Sequence, residues 1–426
     1  MRFSNRALAV ALASVLALTA CSSSETTTEP TDAPSSGSSE ATGPATSGDP
    51  IKIGSLHPTT GGLALDGNQM EQAVLMAVED INASGGIAAL GNRPLEALTA
   101  DTTGAADVGS AEAERLISEG AVALIGAFQS AVTTNIAAVS QRSEVPLVID
   151  VAVSDDITAQ GNQFVFRIQP NATAMGTFGA RNLKAISDAA GTPVTKVAYL
   201  HEETAFGNSV FAAFAAEASL LGIEIVEEIS YNAFEVTDLT TEVQQAIAQS
   251  PDVVAATGYY NDGLLLASNL AAVAPELSGV FGVANGAFDL PQFPTDSPGA
   301  SEGFLDSNYH FDQTNPETAD VRARFLARTG EEMRTPAVFA YQAVTVIAAG
   351  LESAGSDVPS EVRDGIAGIS LADHLFTFPG PIEFDDRGEN INAQPVVMQV
   401  QGGVIVQVFP AEFAEADPVF PIVPWS

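Results

Sequence analysis

The histidines and acidic side chains of this 426-residue sequence are the groups that could carry out acid–base or metal chemistry. The four histidines lack the close spacing of a histidine metal site, and the single cysteine excludes a cysteine-based zinc site. Adjacent acids such as Asp155 and Asp156 are typical of solvated turns or helix starts. The sequence also lacks the phosphate loop, the dinucleotide fingerprint and the nucleophile elbow of common enzyme classes. We therefore expect no catalytic residues, no metal site and no cofactor.

Cys21 is the residue for which the sequence specifies a modification most clearly. A basic start with Arg2 and Arg6 leads into an apolar run, 7–20, which ends in Leu-Thr-Ala before the cysteine. This run is too short to span a bilayer but suits a signal-peptide core. Small residues before a cysteine resemble the bacterial lipobox, in which the thiol is lipidated. We expect residues 1–20 to be a signal peptide and Cys21 a lipidated N-terminus, with a plain secretory signal and an incidental cysteine as the alternative.

The segment that follows, residues 21–50, is polar and poor in residues that could form a core. It is rich in Ser, Thr, Pro, Gly and acidic residues, and it contains no Lys, Arg, Phe, Tyr or Trp. Such a composition does not bury enough apolar surface to become ordered, which predicts a disordered tether. Lipid and tether together would hold the rest of the chain at the extracytoplasmic face of the cell membrane.

The overall charge restricts the partners of the protein. Sixteen basic residues against 53 acidic ones give a net charge of −37. A surface this acidic repels phosphates, which argues against a nucleic-acid partner and against adsorption to anionic lipid headgroups. The acidity would steer cationic solutes or serve only solubility, and the sequence leaves both open. The hydrophobic share of 46% supports sizeable cores in about two or three domains.

Short apolar strands alternate with amphipathic helices from residue 51 onward, which predicts an α/β fold with parallel sheets in two similar halves. A glycine-rich loop over 58–67 follows the first strand, and Gly402-Gly403 predicts a hairpin turn near the C-terminus. The predicted strands are 51–56, 95–99, 121–125, 146–149, 196–200, 223–229, 252–256, 280–283, 382–384, 395–401 and 403–409. The predicted helices are 69–83, 105–119, 133–143, 208–221, 239–249, 263–274, 318–328, 336–354 and 360–369.

Several short motifs follow one another along the chain. They are a Thr-Gly-Gly-Leu loop at 60–63, an Ile-Asn-Ala-Ser-Gly-Gly-Ile helix end at 81–87, Phe206-Gly207, and a Gly-Pro-Ile-Glu-Phe-Asp segment at 380–385. Together they resemble the motifs of the extracytoplasmic solute-binding proteins of branched-chain amino-acid uptake (leucine/isoleucine/valine-binding protein-like). The resemblance implies the type I periplasmic-binding-protein fold, with two Rossmann-like lobes and a three-segment hinge. The implied domains are 51–169 plus 305–379 for lobe 1 and 170–304 plus 380–426 for lobe 2.

The same resemblance implies a ligand site between the lobes. Hydroxyl and backbone groups beside helix starts would bind the polar end of a solute, because the first N–H groups of a helix are free to bind a carboxylate. Aromatic side chains would cover its apolar part. The serines could instead be helix N-caps, and the aromatic residues plain core. The candidate ligand-binding residues are Ser130, Ala152, Ser154, Phe206, Tyr259, Phe128, Asn285 and Asp66.

The acid that would hold a ligand ammonium is missing from its usual place. Many amino-acid binders of this class carry Asp or Glu after the strand at 280–283, whereas Asn285 is the nearest polar candidate here. An uncompensated buried ammonium would cost several kcal/mol. Either another acid substitutes, with Asp66 and Asp150 as candidates that could equally be structural, or the solute has no ammonium group.

These observations lead to one expected function and two alternatives. The expected function is the lipid-anchored substrate-binding subunit of an ABC importer, which captures a small amphipathic solute by hinge closure and delivers it to permease subunits in the cytoplasmic membrane. The solute would be an amino acid or a related amide or carboxylate. A sensor or cell-envelope regulatory protein of the same fold is the first alternative, and a hydrolase that uses scattered carboxylates is the second.

Overall fold

The computed structural model describes residues 46–273 and 275–422. The predicted signal peptide, the predicted lipidation at Cys21 and most of the predicted tether lie outside the described residues. The last residues before the first strand are bound to a nearby turn. Ser47 donates a backbone hydrogen bond to the Asn92 carbonyl at 2.8 Å, and Arg93 Nε donates to the Asp49 carbonyl at 2.9 Å.

The first sheet is entirely parallel, and within the described residues it has five strands in the order β2-β1-β3-β4-β5. Its strands alternate with helices along the chain, as the sequence pattern predicts. The strands are β1 (Ile51–His57), β2 (Leu95–Asp101), β3 (Ala123–Gly126), β4 (Leu147–Ile149) and β5 (Val165–Arg167). The helices are α1 (Ala64–Ala83), α2 (Ala106–Ser118), α3 (Ser130–Ser143) and the short α4 (Asp156–Ala159).

The second sheet has seven strands in the described chain, in the order β12-β11-β10-β9-β8-β6-β7. It is parallel except for the terminal hairpin, where β11 runs antiparallel to both β10 and β12. The elements in chain order are α5 (Ala172–Ala189), β6 (Lys196–Glu202), α6 (Ala205–Leu220), β7 (Glu224–Tyr231), α7 (Thr240–Ala248), β8 (Val253–Thr257), α8 (Tyr260–Val273), β9 (Gly279–Val283), α9 (Phe293–Asp296) and β10 (Leu305–Asn308). The hairpin strands are β11 (Val396–Gln401) and β12 (Val404–Phe409), so the predicted turn at Gly402-Gly403 is confirmed.

Three further helices follow β10, and the middle one packs on strands β3 and β4 of the first sheet. They are α10 (Pro316–Thr329), α11 (Thr335–Ala354) and α12 (Pro359–Ala367). Helix α11 packs along α1 and α12 and carries most of the buried aromatic and aliphatic side chains of this region. Its length and apolar composition would also suit a membrane span, but 67% of that stretch is buried inside the protein, as in the core helix of a globular domain.

The described chain passes between the two sheets in three segments: 168–171, 309–315 and 368–395. The third segment forms isolated bridges to Phe311 of the second segment, through Phe376, and to Arg167 at the end of β5, through Glu389. The predicted α/β class, with two lobes joined by three segments, is therefore confirmed. The exact domain boundaries stay a prediction. Strand β10, at 305–308, lies in the second sheet just beyond the boundary predicted at 304.

Two local predictions are wrong. Residues 382–384 do not form a strand; Ile382 and Phe384 make only isolated bridges, because this part of the chain crosses between the lobes. The loop predicted over 58–67 ends early, since α1 begins at Ala64. Gly67 belongs to that helix, and a Cβ atom there would lie 2.0 Å from the Pro58 carbonyl oxygen. The glycine that suggests a loop thus serves a close approach between helix and loop.

Candidate functional site

The carboxyl ends of strands from both sheets meet at a cavity between the lobes, which is where open parallel sheets place ligands. The cavity contains about 520 Å³ of space not filled by atoms, part of it open to solvent, which lies in the usual range for small-molecule sites. Its lining is Asp66, Phe128, Ser130, Val151, Ala152, Val153, Phe206, Gly258, Tyr259, Ala284, Gly286, Asp289, Leu290, Asn308, Tyr309, Thr335 and Pro336. As far as the described chain shows, this lining includes six of the eight predicted ligand-binding residues but neither Ser154 nor Asn285.

Ser130 begins α3 at the carboxyl end of β3 and is the best-placed hydroxyl of the first lobe. It is 2% exposed, and its Oγ accepts a hydrogen bond from the Ser154 backbone N–H at 3.2 Å. The first N–H groups of α3 have no partner within the helix, so this end of the helix favours an anionic group. The side chain of Ser154 lies against Ser209, with the two hydroxyl oxygens 3.3 Å apart. Ser130 thus contacts the cavity, whereas Ser154 supports the loop behind it.

The loop after β4 is held by the buried guanidinium of Arg167. Its Nη1 donates to the Val153 carbonyl, and its Nη2 donates to the Ser154 carbonyl at 2.9 Å. Its Nε lies 3.3 Å from a carboxylate oxygen of Glu389. Burial lowers the pKa of Arg167, and the Glu389 carboxylate opposes that effect. The guanidinium therefore fixes backbone that lines the cavity, including Val153.

The aromatic residues predicted for the site form one cluster centred on Tyr259. The ring of Tyr259 lies 6.0 Å from Phe128 of the first lobe and 5.4 Å from Phe206 of the second, measured between ring centroids. Phe234, which the sequence did not single out, lies 5.3 Å from the same ring and is half exposed. Burial raises the pKa of Tyr259 well above its ordinary value, so its phenol stays a hydrogen-bond donor. The cluster forms an apolar wall that joins the two lobes.

Asp66 and Asp150, the two acids considered for an ammonium, already have partners. Asp66 lines the cavity, but its Oδ1 lies 2.9 Å from Nη1 of Arg334, and both side chains are buried. Burial raises the pKa of Asp66, and the charge of Arg334 counteracts this. Asp150 is 2.7 Å from Nε2 of His57 and lies outside the cavity lining.

Asn285 stands immediately after β9 but serves the backbone rather than the cavity. Its N–H donates to Asp306 at 3.3 Å, and its Oδ1 accepts from the Ala287 N–H at 3.1 Å. Asp289, four residues further on, lines the cavity instead. Burial raises the pKa of Asp289 to about 8, and raises the pKa of Asp306 well above its ordinary value.

Several cavity residues have no clear signal in the sequence. Asn308 is the last residue of β10 and Tyr309 comes directly after it; β10 is a short polar strand that no hydrophobic pattern predicts. Thr335 is the first residue of α11 and precedes Pro336. A proline near the start of a predicted helix is the sequence signal that would have drawn attention to this position. Asp289 lies in the irregular connection between β9 and α9, where patterns of hydrophobicity give no direction for a side chain.

One further cluster of polar residues lies away from the cavity. Ser55 Oγ lies 3.0 Å from His57 Nδ1, and His57 Nε2 contacts Asp150, but all three side chains are buried and lie outside the cavity lining. These bonds connect β1 with the end of β4. Across residues 46–273 and 275–422, no group of three or more His, Cys, Asp or Glu side chains could hold a metal ion.

Comparison with known proteins agrees with this geometry. The family model of the periplasmic binding proteins matches residues 50–404. The Leu/Ile/Val-binding protein homolog 8 of Brucella abortus (strain 2308) is 26% identical over 379 residues, which are 86% of this chain and 92% of that protein.

Two solved structures share the fold. The branched-chain amino-acid transporter substrate-binding protein LivJ of Streptococcus pneumoniae, in complex with isoleucine, superposes with a TM-score of 0.72 at 19% identity, covering 88% of this chain and 100% of that one. A solute-binding protein of an ABC transporter from R. palustris, in complex with benzoate, gives a TM-score of 0.70 at 22% identity, covering 88% of this chain and 97% of that one. The architecture is thus the type I periplasmic-binding-protein fold, and the chain belongs to the periplasmic binding protein family.

Proposed function

We propose that this protein is the lipid-anchored substrate-binding subunit of an ABC importer and that it captures a small amphipathic solute between its lobes. The solute is an amino acid or a related amide or carboxylate. The observation that carries the proposal is the interlobe cavity, where a hydroxyl at the start of α3 and a cluster of aromatic rings line the same space. Such a site binds one polar and one apolar end of the same molecule. The protein binds the solute without altering it.

Capture requires that the lobes separate and close, and the contacts across the cavity suit this movement. Asn261 of the second lobe donates to the Gly62 carbonyl of the first at 3.4 Å. The guanidinium of Arg334 lies over the ring of Tyr260, 4.1 Å from its centroid. Contacts of this kind are polar or aromatic, so hinge opening would break each of them at modest cost, and a bound solute would favour the closed state.

The position in the cell forms part of the same proposal. The predicted lipid on Cys21 and the tether after it would keep the two lobes near the permease subunits in the cytoplasmic membrane, on the extracytoplasmic side. Radiolabelled palmitate incorporated into the full-length protein in a bacterial host, and lost in Cys21→Ala, would support the anchor. Equal labelling of both proteins would contradict it.

The experiment that tests solute capture is a thermal-shift panel of amino acids, amides, aromatic acids and polyamines, followed by calorimetry on each hit. We expect at least one solute to bind with a dissociation constant near micromolar, about −8 kcal/mol. Small-angle scattering of the same sample should show a more compact particle with the solute. A panel in which no compound stabilises the protein, together with unchanged scattering, would contradict solute capture and favour the regulatory alternative.

Ser130→Ala is expected to weaken solute binding by about 1–2 kcal/mol, because it removes a buried hydrogen-bonding group at the cavity. Ser154→Ala is the matched control: its hydroxyl faces Ser209, so we expect a smaller change in affinity. Calorimetry with the best solute of the panel measures both. The unfolding temperature without solute separates binding from stability, since Ser130 also accepts from the Ser154 N–H. Equal affinity of Ser130→Ala and the unmodified protein would remove Ser130 from the site.

A further inference from the structure

Asp289 combines three properties that do not occur together in Asp66, the other acid of the cavity lining. It lines the interlobe cavity, it is 1% exposed, and its Oδ2 has no hydrogen-bond partner among the described residues. The charged groups that act on its carboxyl group are those of Asp66 and Asp306, which are also negative. A buried carboxylate without a cation or a full set of donors is unfavourable. The hydrogen bonding of the Asp289 carboxylate by the described protein groups is therefore incomplete.

Three other buried acids near the cavity are bound by protein groups, whereas Asp150 and Asp306, each of which also has one oxygen without a partner in the described part of the chain, lie outside the cavity lining. Asp66 is bound by Arg334. Glu202 accepts from the Gly207 N–H and from both the N–H and the hydroxyl of Thr204. Asp262 accepts from the Tyr231 hydroxyl at 2.7 Å and from the Tyr259 N–H at 2.9 Å. Protein groups bind each of these three carboxylates, whereas one oxygen of Asp289 remains available to a group of the solute.

A second unpartnered group faces the same cavity from the first lobe. Thr335 is 2% exposed, lines the cavity, and its Oγ1 has no hydrogen-bond partner within the described chain. A hydroxyl oxygen accepts hydrogen bonds, and so does a carboxylate. The two lobes thus offer acceptors to one space, and a group with several N–H donors and a positive charge would satisfy both.

We propose that Asp289 is the residue that recognises a protonated amine of the solute, so that the solute carries a cationic nitrogen at its second-lobe end. This deepens the proposed function and rests on it. Asn285, the polar residue directly after β9, lies outside the cavity lining, and its side-chain oxygen accepts from the Ala287 N–H. Burial raises the pKa of Asp289 to about 8, and an incoming ammonium would favour the ionised form. A solute with a carboxylate but no amine would leave the Asp289 oxygen unpaired.

Matched pairs of compounds test this on the unmodified protein. The pairs are L-leucine with 4-methylpentanoate, L-isoleucine with 3-methylpentanoate, and L-phenylalanine with 3-phenylpropanoate; each pair differs by the amine. For the pair that binds best, we expect calorimetry to give about 30-fold or more tighter binding of the amine-bearing member, as for a charge pair in a buried site. In Asp289→Asn the preference should fall to within about threefold. Asp373→Asn, which removes the same charge from an exposed position, should keep it.

The outcomes separate this inference from the proposed function. If the des-amino member binds as tightly as the amino acid, or if Asp289→Asn keeps the full preference, the role of Asp289 is overturned while solute capture stands. If neither series nor the wider panel binds, solute capture fails and the inference fails with it. Should Asp289→Asn not fold, as judged by its unfolding curve, the ratio measured on the unmodified protein still decides whether the site requires an amine.

Discussion

Arg167→Met is expected to lower the free energy of unfolding by about 3–5 kcal/mol at pH 7. The guanidinium is fully buried and is bound by the carbonyls of Val153 and Ser154 and by the carboxylate of Glu389. Methionine fills a similar volume but leaves these acceptors unpaired, and Glu389 becomes a buried charge without a counterion. Since the same guanidinium fixes the loop after β4, we also expect weaker solute binding. Urea unfolding measures the first effect and calorimetry the second.

The control for this prediction is Arg142→Met. Arg142 pairs with Glu114 at 3.1 Å, but both side chains are exposed, so the expected loss is below about 1 kcal/mol. The double variant Arg167→Met with Glu389→Gln should recover part of the loss, because it removes the unpaired carboxylate. A loss in Arg167→Met no larger than in Arg142→Met would mean that the buried pair does not hold the loop.

Most of the architecture could be predicted because the hydrophobic pattern reports burial directly. Parallel strands covered on both faces appear as short apolar runs, and ten of the predicted strand positions correspond to strands in the described chain. The elements that escaped prediction have other patterns. Helix α5 contains Gly176, where a Cβ would lie 2.5 Å from the backbone of Val210 and Phe214, so a residue that disfavours helices is kept for close packing against α6. Strand β10 is a short stretch, Leu-Asp-Ser-Asn, that reads as a loop although it is fully buried.

The candidate site could be predicted in part for a related reason. Ser130, Ala152 and Tyr259 follow directly from strand ends, and the topology alone brings strand ends together. The positions of the strand ends do not predict Asp289, because it lies in the irregular connection after β9 and its orientation depends on the backbone of that connection. Ala284 has a φ of 53°, in the left-handed region, and this turn directs Asn285 toward Asp306 and Ala287. Backbone conformation of this kind has no counterpart in a pattern of hydrophobicity.

The second large effect is expected for Arg334→Met, which should lower the free energy of unfolding by about 3–5 kcal/mol at pH 7. Arg334 neutralises the buried carboxylate of Asp66, and its backbone N–H donates to Gln69 at 3.0 Å, so α1 and the start of α11 are joined here. Removal of the guanidinium also removes its contact with the ring of Tyr260. Unfolding in urea at several pH values, between 4 and 8, measures the loss.

The pH dependence of that loss identifies its cause. Burial raises the pKa of Asp66 above its ordinary value of 3.8, and Arg334 opposes the rise, so the variant should have a still higher pKa. An acid whose pKa is higher in the folded state binds more protons there, and stability falls as pH rises from the unfolded pKa through the folded one. The deficit of Arg334→Met should therefore be small near pH 4 and grow toward pH 7. Adding Asp66→Asn should abolish this growth, because the amide does not ionise; a deficit that is the same at every pH would mean that Arg334 acts through packing rather than through its charge.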